Sequence, residues 1–253
     1  MSRLHLMIVV TASLMGLPAI SVASLQVGDR IHFTDKEGST GGGEFGVHKL
    51  VSASPAGGNV ASSELFRTFC IERTEYIDLN VNGFVIDSIS KSANGGLPSG
   101  PDQIEQQTAW LFYNYTRGTL AGYDYTDNSL ARKISANALQ NAIWFLEGEI
   151  ILSAAQQAAN PFLVAANLAS AVALQAAFDR VFVLNIKFAT DRHGYDGVYE
   201  KTQNSPAPYG SWVSGPGNDA QSQLYVIPEP ATLLVWTALA LVALCARRSR
   251  TRN

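Results

Sequence analysis

Apolar residues recur along this chain with two different periods, and the change between them divides it. Leu25-Gln-Val-Gly-Asp-Arg-Ile-His-Phe33 alternates with the two-residue period of a half-buried strand. Gly/Ser/Thr-rich residues 38–46 read as a loop, and Val47-His-Lys-Leu-Val51 resumes the alternation. Residues 63–71 and 76–81 read as further strands. Asn82-Gly83, between Leu79-Asn-Val81 and Phe84-Val-Ile86, is a type I′ hairpin signal. Residues 92–101 read as loop.

The helical period then takes over. Asp102 followed by Glu105 resembles a capping box for a helix over 104–117, which carries Ala109, Trp110, Phe112 and Tyr113 and stops at Gly118. A turn-rich stretch, 122–128, leads to a second helix over 129–147. Its apolar stripe is Leu130, Ile134, Ala138, Ala142 and Phe145, with Gly148 as terminator. An alanine-rich helical region, 150–178, is interrupted at Asn160-Pro161, and residues 180–188 return to strand. Gly, Pro and Ser dominate 203–219, so residues 203–227 read as a stalk. No internal repeat is evident. The pattern predicts an α+β fold over 24–202, a β-rich N-terminal half packed with a central helical region, plus one C-terminal transmembrane helix.

Both ends carry targeting patterns. Arg3, an apolar run over 6–17, Pro18 and the small residues Ser21-Val22-Ala23 have the layout of a secretory signal peptide, removed after about Ala23, which makes signal peptidase a partner. At the other end Pro228-Glu229-Pro230 precedes an apolar segment, 231–246, and the basic residues Arg247, Arg248, Arg250 and Arg252. At about 1.5 Å per residue that segment spans roughly 24 Å, which snorkelling arginines extend toward the ~30 Å of a bilayer core. A basic flank favours the cytoplasmic side. The order of Pro-Glu-Pro, apolar helix and basic stop over 228–253 resembles a PEP-CTERM sorting signal. The resemblance implies export in a Gram-negative bacterium that makes exopolysaccharide, inner-membrane anchoring through the helix before processing, and handling by exosortase near Pro228. The cell surface or extracellular matrix is then the destination, with exopolysaccharide as a further partner.

Setting those segments aside changes the charge. Without Arg3, the four tail arginines and Glu229, the middle has a net charge of about −7, with no basic stripe to attract nucleic acid. Of the two cysteines, Cys245 lies in the apolar tail, so the ectodomain keeps Cys70 alone and has no intramolecular disulfide.

Several motif matches carry no chemistry. Gly41-Gly-Gly43-Glu-Phe-Gly46 fits a dinucleotide fingerprint but precedes a strand, not a helix. Asp78-Leu-Asn80-Val-Asn82-Gly83 begins like a calcium loop, yet Ile89 stands where a bidentate Glu is needed. Asp191 to Asp196 reads as a polar turn, and the histidines lack metal-ligand spacing. No cofactor or metal is expected. Trp110, Trp144 and Trp212 have the ring area to stack on sugars, but helical tryptophans usually serve the core.

One constellation remains. Phe69-Cys70-Ile71 sets the ectodomain cysteine in an apolar strand, and Gln140-Asn141-Ala142-Ile143-Trp144 sets a glutamine on the second helix ahead of an apolar anchor. These segments resemble the aromatic-Cys-aliphatic and Thr-Gln-x-Ala-Ile-Trp motifs of thioester domains in bacterial surface adhesins. More loosely, the similarity covers 65–149. Leu139 replaces the usual Thr, and the interval from Cys70 to Gln140 is short for such domains. The resemblance implies an internal thioester between Cys70 and Gln140, flanked by Phe69, Ile71, Ala142, Ile143 and Trp144. It would capture an amine-bearing surface or matrix molecule in a single-use crosslink, which is not enzymatic turnover.

The chemistry is reasonable, since a thiolate attacks a poor acyl donor such as an amide only in near-attack geometry. Two alternatives stand beside it. Cys70 is a small hydrophobe in a core and Gln140 a helix-surface residue of a non-covalent exopolysaccharide-matrix protein; or Cys70 works with His48 or His193 as a hydrolase, for which no local motif exists.

Overall fold

The alternating segments build one antiparallel sheet whose two edges meet. In chain order the strands are β1 (Arg30–Ser39), β2 (Gly42–Ala53), β3 (Asn59–Thr68), β4 (Phe84–Ser90), β5 (Ser92–Ala93), β6 (Asp102–Gln103), β7 (Val181–Phe188), β8 (Gly197–Glu200), β9 (Ser211–Ser214) and β10 (Asp219–Val226). Helices α1 (Gln106–Thr116), α2 (Leu130–Leu146), α3 (Ala154–Ala159), α4 (Pro161–Leu168) and α5 (Ala171–Phe178) lie between β6 and β7. The computed structural model describes residues 25–39, 42–53, 59–73, 77, 79, 83–94, 101–188, 197–200, 211–214 and 219–227. They belong to one unit, Ser24–Ile227.

The six long strands run in the order β10-β7-β4-β1-β2-β3, which leaves β3 and β10 as edges. Directly after β3 the chain crosses onto β10. Leu224 donates its N–H to Phe69 O (3.1 Å), Ile71 donates to Ser222 O (3.1 Å), and Cys70 forms an isolated antiparallel bridge with Gln223. The Thr68 hydroxyl donates to Leu224 O at 2.6 Å. Joining the edges here pairs part of the ladder that an open sheet leaves bare.

Side-chain alternation across this sheet makes two cores. Ile31, Phe33, Val47, Phe84, Ile86, Leu184 and Ile186 pack with Cys70 in one. Phe69 and Ile71, one residue to either side of Cys70, face the other, built with α1, α2 and α4 through Leu111, Phe112, Leu139, Ile143 and Phe162. Asn160 organises the helical layer: its side chain accepts the N–H groups of Phe162 and Leu163 as the cap of α4, and its amide donates to Ala138 O on α2. Pro161, next in the chain, starts α4, where its missing N–H costs nothing.

Several expected boundaries move. The loop over 38–46 is shorter, because β2 begins at Gly42. Cys70 sits just beyond β3, at the bridge to β10, not inside a strand. Asp102 pairs in β6 rather than capping α1, whose N-cap, Glu105, makes no side-chain bond. The start of α1 is served instead by Glu147 Oε1, which accepts Glu105 N–H at 3.1 Å. The second helix has the expected span, but Leu130 and Ile134 are 74% and 61% exposed and its buried side runs through Arg132, Ala136, Leu139, Gln140 and Ile143. The stretch 203–227 is not a stalk throughout, since 219–226 is a strand of the main sheet. Residues 80–82 of the hairpin signal, the signal peptide and the 228–253 tail lie outside the described residues. Among the described residues no single helix is long and apolar enough to cross a membrane.

Glu147 gives this helical layer a pH dependence. Burial raises its carboxyl to about 7, against the Glu105 N–H bond that lowers it. A raised acid binds its proton more tightly in the folded chain, so its contribution to stability falls as pH rises from about 4.5 to about 7. Glu147→Gln keeps an acceptor for Glu105 and removes the titration. Urea unfolding from pH 4.5 to 7.5 should show the variant gaining up to about 3 kcal/mol on the wild type across that window. A constant difference would mean that Glu147 ionises normally.

Candidate functional site

Cys70 is placed by the seam. A residue lying between two ladder bonds, rather than making them, brings its side chain close to the opposite residue and turns its own N–H and C=O away. The bonds at Phe69 and Ile71 give Cys70 and Gln223 that relation. The sulfur therefore meets β10: Sγ donates to Gln221 Oε1 at 2.9 Å and accepts from Gln223 Nε2 at 3.3 Å. Gln221 is fixed in turn by donating to Glu72 O, while Glu72 Oε2 accepts Ser222 N–H at 3.1 Å.

The backbone of Cys70 meets α2. Gln140 Oε1 accepts Cys70 N–H at 3.2 Å and Gly43 N–H at 3.3 Å, and Gln140 Nε2 donates to Cys70 O at 2.8 Å. The carboxamide thus acts as a stand-in peptide group beyond the last β2–β3 pair, Phe45 with Thr68. Glycine is required at 43: φ is +131°, and a Cβ there would lie 2.5 Å from Glu37 O. Cys70, Gln140 and Gln223 are all buried, at 0%, 2% and 0% exposure.

A buried ion pair fixes the helix that delivers Gln140. Glu44, next to Gly43, takes a bidentate pair from Arg132, with Nε to Oε2 at 2.9 Å and Nη2 to Oε1 at 2.6 Å. Arg67 adds a contact at 3.2 Å, and the Tyr115 and Tyr123 hydroxyls also donate to Glu44. Burial alone would raise the Glu44 carboxyl, but bonds from Arg132 and Tyr115 and the charges of Arg132 and Arg67 hold it below the usual range. Arg132 and Gln140 stand about two turns apart on the buried side of α2, so the clamp sets the register in which Gln140 meets Gly43 and Cys70.

The structure brings the carboxamide of Gln140 onto the backbone of Cys70, while the sulfur is hydrogen-bonded to Gln221 and Gln223. Phe69, Ile71, Ala142 and Ile143 belong to the helical core, and Trp144 shares the cluster that contains Cys70. The His48 ring is engaged by Thr34 at 3.1 Å and Ser62 O at 3.0 Å. His193, Asp78, the 191–196 turn and the sorting residues Pro228, Glu229, Pro230, Arg247, Arg248, Arg250 and Arg252 lie outside the described residues. Among the described residues no cluster of His, Cys, Asp or Glu could hold a metal ion. Burial pushes the Cys70 thiol up to about 12 despite the Gln223 bond, and the Glu72 charge adds to the rise.

Sequence reasoning missed Gly43, Glu44, Arg132, Gln221 and Gln223. A signal existed for the last two, since Leu224-Tyr-Val226 closes an alternating, β-prone segment that the Gly/Pro-rich stretch before it obscured. Chemically, two N–H groups on one carbonyl oxygen are what a developing oxyanion needs. Compared with protein-family models, curated proteins and solved structures, the chain matches none.

The clamp has a measurable weight. Arg132→Met leaves the Glu44 carboxylate buried with a weaker set of partners and should cost about 3–5 kcal/mol in urea unfolding. The Glu44→Gln/Arg132→Met double variant should cost less than the two single changes together, with a coupling of at least about 1 kcal/mol. Additive costs would show that the pair does not act as a unit.

Proposed function

We propose that the chain is an exported surface or matrix protein, sorted through its PEP-CTERM-like tail, whose ectodomain attaches covalently to amine-bearing partners through a thioester between Cys70 Sγ and Gln140 Cδ. The observation that carries this reading is the clasp of Gln140 on Cys70, residues 70 apart in sequence, with Oε1 held by two backbone N–H groups. Those donors polarise the carboxamide carbonyl toward attack and receive the charge that develops on Oε1. In the forming step the thiol sulfur bonds to Cδ, the Cδ–Nε2 bond breaks, and the thiol proton leaves with the nitrogen as ammonia. Burial keeps water from the acyl-sulfur bond. A partner amine then bonds to Cδ, and a proton from it returns to the sulfur as the thiol re-forms.

A second reading is favoured by the state of the sulfur. A thiol pushed up to about 12 and hydrogen-bonded to Gln221 is an inert core group, and the ectodomain is then a non-covalent component of the exopolysaccharide matrix.

Intact mass separates them. On the thioester reading the purified protein weighs about 17 Da less than its sequence requires, the mass of one ammonia. Methylamine then adds to Gln140 and frees one titratable thiol, and Cys70→Ala removes both effects. A full-mass wild-type protein with a free thiol overturns the covalent reading.

A further inference from the structure

The outer side of α4 and α5 carries no charge. From Ile150 to Phe178 no residue is charged, in a domain that is acidic overall. Soluble surfaces usually hold about a quarter to a third charged residues. The two helices meet at a bend of 107°, and each buries one side, with Phe162, Leu163 and Ala166 on α4 and Ala177 on α5. What remains points outward at the bend. Val164 and Leu168 stand one turn apart on α4 and are exposed, and Leu168 and Val172, on either side of the bend, are each 81% exposed. Single apolar residues on a surface are ordinary, but a corner of three without a charge is not. The buried sides hold both helices in the domain, so their composition suits the surface of a bilayer and not its interior.

The place where the chain leaves the fold says what covers this corner. Val226, the last residue of β10, pairs with Val181, the first of β7, just after α5. Lys91 holds that junction, its Nζ donating to Phe178 O and Val181 O. At 1.5 Å per residue Val172 lies about 9 Å along α5 from Phe178, so the corner stands within roughly 25 Å of the end of β10. Beyond Ile227 only Pro228-Glu229-Pro230 precedes the apolar segment 231–246, a linker of at most about 14 Å.

We propose that the α4–α5 corner is a bilayer contact, with Val164, Leu168 and Val172 seated at the headgroup–acyl boundary of the membrane that holds the tail. The assignment rests on the sorting-tail reading and is independent of the thioester. The linker spans little more than a headgroup layer, ~5–8 Å thick, so the end of β10 is kept against the lipid surface. That tether presents lipid to the corner at a far higher effective concentration than a second copy of the chain. An uncharged corner binds through apolar burial alone, so the contact needs neither anionic lipid nor low salt. Cutting the chain near Pro228 removes the tether and frees the corner.

The test reconstitutes the full chain in phosphatidylcholine vesicles containing a trace of phospholipid with a diazirine near the top of its acyl chain. Lipid adducts are mapped by peptide mass. Adducts over 161–178 should exceed those over 130–134 at least about 10-fold, and should be unchanged between about 0.1 and 1 M salt. The second segment is the control, since Leu130 and Ile134 are as exposed but flank Lys133. Leu168→Asp/Val172→Asp should cut the corner adducts about 10-fold or more and leave those in 231–246 intact. Should the aspartates unfold the chain, Leu168→Gln/Val172→Gln takes their place with the same expectation. Equal labelling of the two segments, no effect of the substitutions, or chain-to-chain crosslinks through the corner overturns the proposal. A chain that carbonate strips from the vesicles, with no adduct in 231–246, shows instead that the anchoring reading is wrong, and this assignment falls with it.

Discussion

A single residue whose backbone must be satisfied on two sides organises this fold. Joining β3 to β10 through Phe69, Cys70 and Ile71 closes the sheet, but it turns the N–H and C=O of Cys70 away from β10 into the interior. Each would cost about 1–3 kcal/mol if left bare. No strand supplies their partners; the side chain of Gln140 does, and it takes up Gly43 N–H as well. The packing of α2 on the sheet is thus coupled to closure of the sheet through one carboxamide. Glu44 and Arg132 make the coupling rigid, because the bidentate pair fixes α2 along its axis.

The same closure explains the chemistry of the sulfur. Side chains alternate across the seam, so Phe69 and Ile71 point into the helical core and Cys70 into the other one. There it meets polar atoms of β10 as well as the apolar side chains of that core. Gln221 and Gln223 share one side of that strand, and a register shift between Ala220 and Gln223 lets both reach the sulfur. Burial disfavours the thiolate and hydrogen bonding from Gln223 favours it, with burial the larger of the two. Any reaction at Cys70 must therefore generate its nucleophile by local proton transfer rather than by standing ionisation.

Elements that follow from local pattern were legible in the sequence. The span of α2, the break at Asn160-Pro161 and the strand at β7 all follow from periodicity, capping and propensity within a few residues. The buried face of α2 was not legible. Leu130 and Ile134 carry the apolar signal yet face outward, because Arg132 is drawn inward by a carboxylate 88 residues away in sequence. The same long-range constraint hid Gln140 in plain view: a glutamine on a helix reads as surface until something buried needs its amide. Half of the candidate site was visible as Cys70 and Gln140. The other half was not: Gly43 lies in a glycine-rich stretch that reads as loop, and the β10 glutamines follow a Gly/Pro-rich stretch that reads as stalk.

The clasp that satisfies Cys70 also sets the direction of the proposed reaction. Forming the thioester removes Gln140 Nε2, the donor to Cys70 O, and leaves that buried carbonyl without its bond at a cost of about 1–3 kcal/mol. Attack by water would put a carboxylate there, an acceptor facing an acceptor, and the bond would stay lost. Attack by a primary amine puts a trans secondary amide there, whose carbonyl keeps the N–H groups of Cys70 and Gly43 while its N–H points away from Cys70 O, so the product stays neutral but does not regain that bond. On the proposed reading the architecture thus favours amide over acid as the product, because the acid would set a buried carboxylate against the Cys70 carbonyl and the amide would not.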